Sequence, residues 1–492
     1  MHRKNTRRRG RRATFAIAGT IALIESAAAS AQVSAHMRFA SRTHVVESGV
    51  RIGEHGESEP AAQRGDDLEV EARTPLVTRF ATVVRNEGSQ LLRVHFGAFD
   101  LPGGSELHLM SLADGAWQRF TESSLAEWGG WSAIFNGDAV VVQLLVAPDV
   151  SASFEIDQLS VNDPAQEGDG GGVATLCGTD SRVGSTDPRV GRLSSASCAS
   201  GGACGGCTAW LTSIGSAMTA GHCGTADGGV IEFNVPLSSS NGTPVAASPS
   251  DQYPVGESWY AHQAAGIGSD WAIMDVGANS NTGARAHWVQ GYFHLAPYVP
   301  PDGAAVRITG CGIDNSPMGS SPGTCCAWDD GGCTHFGCNQ KSLTLQTAVG
   351  PKVGSTANSI SYQSDTEPAN SGSPIIQEGF NFAVGIHTNG GCSAAGGANS
   401  GTRLTQPTLA AWLDSFLGVD TRFLDPVAIT ATQNGSALYP MRTLADAFFV
   451  TPTGGTLAIA GGSYPAATPQ NIGVFSKAIT LKAVSGTVVI GN

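Results

Sequence analysis

The sequence predicts an all-β protein built from more than one domain. Its strand-length apolar runs either alternate with polar residues or stay apolar throughout, as half-buried and fully buried strands do. Between these runs lie Gly, Pro and Asn clusters, in a chain with 64 Gly and 24 Pro. A helical period is confined to short stretches near the C-terminal end. At 492 residues the length implies about three domains.

The first twelve residues carry seven bases: Arg3, Lys4, Arg7, Arg8, Arg9, Arg11 and Arg12. An apolar segment, Ala13 to Ile24, follows, and then Ala29-Ser-Ala31. A basic start, a short apolar core and a small-x-small end make residues 1–31 a secretory signal peptide, too short for a membrane span. Its removal takes away seven bases and one acid (Glu25), which moves the formal charge from −13 to −19. Such an acidic chain does not track phosphate backbones or anionic membranes. No later stretch is long and apolar enough to cross a bilayer. The expectation is a secreted protein, extracellular or periplasmic, without nucleic-acid or membrane partners.

Residues 40–163 read as a β-sandwich. Leu91–Phe96 and Glu106–Met110 alternate around the turn Asp100-Leu-Pro-Gly-Gly104, and Ala139–Val146 reads as a buried strand. Residues 164–176 are polar and Gly-rich, the composition of an exposed linker. All eleven cysteines lie at or beyond Cys177, which points to an oxidising compartment. Five of them (Cys311, Cys325, Cys326, Cys333 and Cys338) share a Gly-rich insertion, 310–339, with His335. Zinc is weighed there and set aside for disulfides, because the spacing is irregular. An odd cysteine count leaves at least one thiol free or intermolecular.

Three segments inside 177–417 carry chemistry. Thr219-Ala-Gly-His-Cys223 follows an apolar stretch, Ala209–Met218, that reads as a hairpin. Ser269-Asp-Trp-Ala-Ile-Met-Asp-Val276 reads as a strand opening on Asp270. Asp365-Thr-Glu-Pro-Ala-Asn-Ser-Gly-Ser-Pro374 is a tight polar loop. A serine hydroxyl is a weak nucleophile until a base removes its proton, and its loop must turn so that backbone N–H groups face the oxyanion. The order His222, Asp270, Ser371, with spacings of 48 and 101 residues by subtraction, supplies base, orienting acid and nucleophile.

These segments resemble the His, Asp and Ser motifs of trypsin/chymotrypsin-like secreted serine endopeptidases, closest to the bacterial glutamyl and lysyl endopeptidase branches. The resemblance implies a double six-stranded antiparallel β-barrel over 177–417, with catalytic His222, Asp270 and Ser371. It implies an oxyanion hole from the N–H groups of Ala369 and Ser371, and no cofactor or metal. It also implies disulfides Cys207–Cys223, bracing the His loop, and Cys177–Cys392, tying the domain's start to the specificity region. The stretch Phe382–Cys392 matches the wall of the family's specificity pocket. There Gly-Ile-His-Thr resembles the glutamyl branch, so Thr366 and His387 are expected to bind a carboxylate side chain. Asp365 is an opposing signal, because an acid six residues before the nucleophile makes trypsin-like enzymes prefer Arg or Lys. The chain has no Lys between Lys4 and Lys341, so self-processing would use Glu167, Arg182 or Arg189, and the reading leans to acidic side chains.

Two departures stand out. Asn370 replaces the Asp that pairs with a freed N-terminus in animal trypsins. Ala369 replaces a Gly, and an Ala at positive φ costs roughly 1 kcal/mol. The alternative to a working endopeptidase is therefore a catalytically weak or inactive protease-fold binding or adhesion protein.

The 40–163 sandwich is similar to the propeptide of lysyl endopeptidases around Phe96, which implies an intramolecular inhibitor or chaperone. Thr408–Leu417, with Leu409, Trp412, Leu413, Phe416 and Leu417 on one side, predicts an amphipathic helix after Pro407. Residues 421–492 form a β-rich segment. Its Gly-Gly-Thr-Leu-Ala-Ile459 and Gly-Ser-Tyr-Pro465 resemble the entry of a right-handed parallel β-helix.

Overall fold

The fold is described from a computed structural model. It covers residues 34–37, 76–161, 175–194, 206–314, 340–415, 421–428 and 433–491, less 214, 225–227, 241, 381, 434, 466–477 and 485–486. The expected signal peptide (1–31), most of the expected linker with Glu167, most of the Cys-rich insertion, Phe416 and Leu417 lie outside the described residues.

Two six-stranded antiparallel barrels form the centre. In the first, Val190–Ser194, Cys207–Leu211, Ala217–Thr219, Asp270–Val276, Gln252–Ala264 and Val230–Glu232 pair in that order and close on themselves. Its interior is Leu193, Ala209, Leu211, Ala217, Ile231, Phe233, Tyr253 and Met274, all buried. The expected hairpin is the pair Cys207–Leu211 and Ala217–Thr219, with Trp210 opposite Met218. In the second barrel, Phe382–Asn389, Pro374–Gln377, Ala305–Gly310, Gln346–Ser355, Ser359–Tyr362 and Asn399–Arg403 follow one another. The pairing of Phe382–Asn389 with Asn399–Arg403 closes it. Val183–Gly184 adds to the edge at Gln346–Thr347.

A buried ion pair locks the first barrel. The Arg192 guanidinium donates to both carboxylate oxygens of Glu232, at 2.9 and 3.0 Å, and to the carbonyls of Leu343 and Val245. Both side chains are 1% exposed. Glu232 also accepts from the Ala247 N–H at 3.0 Å. A charge buried this far is tolerable only with its partners in place.

Two four-stranded sheets precede the barrels. Val77–Arg85, Ala139–Val146, Glu106–Ser111 and Trp117–Phe120 form one. Ser34–Met37, Ser153–Val161, Leu91–Asp100 and Phe135–Asn136 form the other. Leu92, Val94, Phe96, Leu107, Leu109, Phe120, Val142, Leu144, Phe154 and Ile156 make one core between them. The core explains why these strands alternate: one face of each sheet packs inward.

The helix Pro407–Ser415 begins at the expected proline and buries Leu409 and Leu413. Trp412 departs from expectation, for it is 42% exposed. Beyond it, Thr421–Leu424, Thr456–Ile459 and Thr480–Ala483 pair in parallel, as do Gly462–Tyr464 and Val488–Ile490. The segment docks on the second barrel. Leu438 joins the core around Leu409 and Leu413, and Asp425 accepts from His294 Nδ1 at 2.6 Å. No helix among the described residues is long and apolar enough to cross a membrane.

Replacing Arg192 with Ala strands the Glu232 charge, and urea unfolding should show a loss of about 3–5 kcal/mol. The loss should shrink in the Arg192→Met/Glu232→Leu pair, which removes both charges.

Candidate active site

His222 follows the strand Ala217–Thr219 on a short 3-10 turn, Gly221–Cys223. Gly221 is required there: a Cβ would lie 1.8 Å from the Gln263 carbonyl oxygen of the neighbouring strand. The Cys207–Cys223 disulfide anchors the turn to the first strand of the hairpin. Asp270 opens its strand and is buried. Its Oδ2 lies 2.6 Å from His222 Nδ1, and its Oδ1 accepts the His222 backbone N–H at 2.9 Å. Asp270 thus holds His222 at the ring Nδ1 and at the backbone, and the ring's Nε2 is left for chemistry, with the side chain 44% exposed.

Ser371 comes from the second barrel, in the loop before Pro374–Gln377. The loop turns through Pro368 and Ala369, closed by the Asn370 N–H donating to Glu367 O at 3.1 Å. Ala369 has φ +74°, the left-handed region at the third position of a type II turn. This alanine therefore adopts the angle that a glycine takes freely. The strain, about 1 kcal/mol, is borne by the surrounding loop. Gly372, at φ +90°, lies where a Cβ would be 2.1 Å from Thr208 O. Among the described residues the N–H groups of Ala369 and Ser371 have no acceptor, which leaves both for an oxyanion. Ser371 Oγ makes no hydrogen bond to His222 within the described residues.

Thr208 brings these groups together across the barrels. Its N–H donates to Ser371 O at 2.8 Å, and its hydroxyl donates to Ala369 O at 3.1 Å and accepts from the Cys311 N–H at 2.9 Å. Its carbonyl accepts from Thr219 Oγ1 at 2.7 Å, three residues before His222. Thr402 makes the second tie, donating to Asp270 O at 2.8 Å and accepting from the Asp270 N–H at 3.2 Å. Neither threonine carries a signal in the sequence.

The pocket wall differs from expectation at one position. Asp365 is buried with both oxygens occupied. Oδ1 accepts the Cys177 N–H at 2.6 Å, and Oδ2 accepts the Ser181 N–H and hydroxyl at 2.8 and 2.5 Å. Its charge is spent on holding the segment that enters the domain, not on a basic substrate side chain. The Cys177–Cys392 disulfide secures the same segment. Arg182, a proposed processing point, is buried in a bidentate pair with Asp180 and is closed to cleavage in the folded chain. Arg189 is likewise paired to Asp187.

Thr366 is buried, and its hydroxyl lies 2.8 Å from that of Thr175. His387 is buried in the strand Phe382–Asn389, its backbone tied to Ser373 O and the Gly372 N–H at 2.8 Å each. Burial and the nearby His222 push the His387 imidazole down to about 3, so it is neutral at working pH. Tyr362 OH lies 2.5 Å from His387 Nδ1. A buried phenol needs an acceptor for its proton, so Tyr362 donates to Nδ1 and the ring carries its hydrogen on Nε2. That nitrogen has no partner among the described residues.

Asn370 is buried, with Nδ2 donating to Glu367 O at 3.2 Å, and has no ionic partner among the described residues. Cys207, His222 and Cys223 are close enough for a metal, but both sulfurs are bonded to each other, leaving one imidazole. Cys311 is buried with a free thiol that burial pushes up to about 12.

No protein-family model and no curated protein matches the chain. Solved structures do. A Glu endopeptidase in complex with MPD is 16% identical, covering 48% of this chain and 97% of its own, with a TM-score of 0.32. The thermostable serine protease AL20 from an extremophilic microorganism is 12% identical, over 44% of this chain and 91% of its own, with a TM-score of 0.29. The atomic-resolution structure of HBP is 12% identical, over 48% and 96%, with a TM-score of 0.33. The trypsin/chymotrypsin-like fold is evident in the two closed barrels themselves; similarity this distant carries no argument about activity.

Glu367, four residues before Ser371, gives the loop a pH dependence. Burial, and then the charges of Asp180, Asp314 and Asp365, raise it from 4.5 to about 7 against the opposing pull of Arg182. The folded state therefore holds a proton that the unfolded chain releases near pH 4.5, so stability falls as pH rises through 4.5 to 7. Glu367→Gln removes this dependence. Its melting temperature should exceed the parent's by a margin that widens between pH 4.5 and 7 and is constant above.

Proposed function

We propose that the chain is an exported serine endopeptidase. The observation that carries this is the His222–Asp270 pair on one barrel, with the Ser371 loop of the other held against the strand leading to His222: a Cβ on Gly372 would lie 2.2 Å from Thr219 Oγ1 and 3.1 Å from the Ala220 nitrogen. In this reading Ser371 Oγ attacks the scissile carbonyl and His222 Nε2 takes its proton. The N–H groups of Ala369 and Ser371 receive the oxyanion, each contributing about 2.7–4 kcal/mol. His222 then passes the proton to the leaving amine, and water hydrolyses the acyl-enzyme by the same route. Asp270 keeps the imidazole in the required tautomer and stabilises its cation.

The substrate is a protein or peptide with Glu or Asp before the scissile bond. What supports this is a neutral His387 imidazole presenting N–H beside an Asp365 carboxylate already satisfied by the chain; the Thr366 hydroxyl, which bonds to that of Thr175, would have to turn from it to reach a substrate. Hydrogen bonds from neutral donors to a charged acceptor are worth about 1.5–3 kcal/mol each. No cofactor enters the mechanism. The leader at residues 1–31 and the two disulfides support an oxidising, extracytoplasmic location.

A fluorophosphonate probe should label the wild type at Ser371 and fail on Ser371→Ala. Asp270→Asn should slow labelling by about 10⁴-fold. Absence of wild-type labelling would move the reading to a non-catalytic binding protein on the same fold.

Specificity is read separately. Tyr362→Phe frees His387 Nδ1 and should lower kcat/KM on Glu peptides about tenfold, while the labelling rate stays within about a factor of two. Cleavage after Lys or Arg with none after Glu in a peptide library would overturn the acidic preference.

A further inference from the structure

The sequence resemblance implies that the N-terminal sandwich blocks the active site or assists folding. The described strands of the sandwich meet the barrel away from the candidate site and not across it. The sandwich meets the first barrel at the end remote from His222 and Asp270. In the pairing of Gln252–Ala264 with Asp270–Val276, Ala264 faces Asp270 at the cleft end and Val255 faces Val276 at the other. Six residues of strand separate these ends, about 20 Å. The contacts cluster at the second end. The Ile134 N–H donates to Gln252 Oε1, and Gln252 Nε2 donates to Ile134 O, both at 2.8 Å. Trp128 Nε1 donates to Ala278 O at 3.1 Å. Asn281 accepts from the Arg119 N–H at 2.8 Å and donates to Trp117 O at 2.9 Å. No hydrogen bond or ion pair among the described residues joins the sandwich to His222 or to the Ser371 loop.

The contact is also built like an interior. Val230, at the start of a barrel strand, belongs to the sandwich's own core. Leu91, Ile134 and Ala246 form a second apolar cluster across the junction. Arg93, 2% exposed, donates to Gly228 O at 2.6 Å and to Ser132 O at 2.8 Å. Separation would expose these apolar groups and break the hydrogen bonds of a buried guanidinium and a buried amide, which makes dissociation costly. The Ser371 loop, meanwhile, is anchored in the uncut chain by Asp365 holding Cys177 and Ser181.

We propose that the sandwich is a permanent companion of the first barrel and not a cleft inhibitor. A cut between residues 162 and 174 leaves two pieces that stay associated, and the nucleophile is as reactive before the cut as after. The reactivity clause rests on the proposed function; the association clause does not.

The test places a site for a specific protease between residues 162 and 174 of the full chain. Native mass spectrometry and size exclusion follow the pieces, and fluorophosphonate labelling is timed before and after cutting. The expected result is a single complex at micromolar concentration, with labelling rates within about a factor of three. Asn281→Ala in the cut protein should weaken the complex about tenfold. Free sandwich after the cut overturns the proposal, as does labelling that appears only after it. If neither form labels, the endopeptidase reading fails while co-elution still decides whether the sandwich is a lasting partner.

Discussion

The candidate catalytic groups His222 and Asp270 sit on one barrel and Ser371 on the other, so any joint chemistry depends on the register between them. Thr208 sets that register. One buried residue binds Ser371 O through its N–H, Ala369 O through its hydroxyl and Thr219 through its carbonyl. These bonds run in a water-poor interior, where an unmet donor costs about 1–3 kcal/mol. Any sliding of the barrels would leave several unmet at once. Thr402 adds a second fixed point at Asp270. Two ties at different places remove rotation as well as translation, and a hydroxyl supplies both a donor and an acceptor at each.

Around this hinge-free junction the chain uses its acids for structure. Asp365 and Asp180 hold the entering segment, and Glu232 holds Arg192. Asp365 occupies a sequence position where an acid is read as a specificity determinant. Its role is decided by three donors arriving from residues 177–181, about 185 positions away in the chain. Sequence distance hides such a partnership, and only the fold brings it into view. The same holds for His387, whose neutral state follows from burial and from the nearby His222, and whose Nδ1 meets Tyr362 from a strand two places away in the sheet.

Ala369 shows how a local rule can be broken at a functional loop. Helices and strands of L-residues avoid φ near +74°, yet the type II turn demands it. Pro368 before it and the Thr208 bond on its carbonyl over-determine the conformation. Strain of about 1 kcal/mol is small beside the ties that impose it.

Much of the fold was legible in the sequence. Alternation located sandwich strands such as Leu91–Phe96 and Glu106–Met110, and an apolar run located the barrel hairpin, because burial of one face writes a period into the chain; the parallel tail was expected only from its resemblance to a β-helix entry. The His222 and Asp270 segments were singled out by their resemblance to family motifs, whereas the need for Gly221 comes from the Gln263 carbonyl on another strand and belongs to the tertiary structure. What only tertiary structure decided was long-range: the closure of the barrels, the threonine ties, the satisfaction of Asp365, the exposure of Trp412 and the docking of the sandwich at the remote barrel end. Each depends on which surfaces meet, and a residue's neighbours in space leave no periodic trace in its neighbours along the chain.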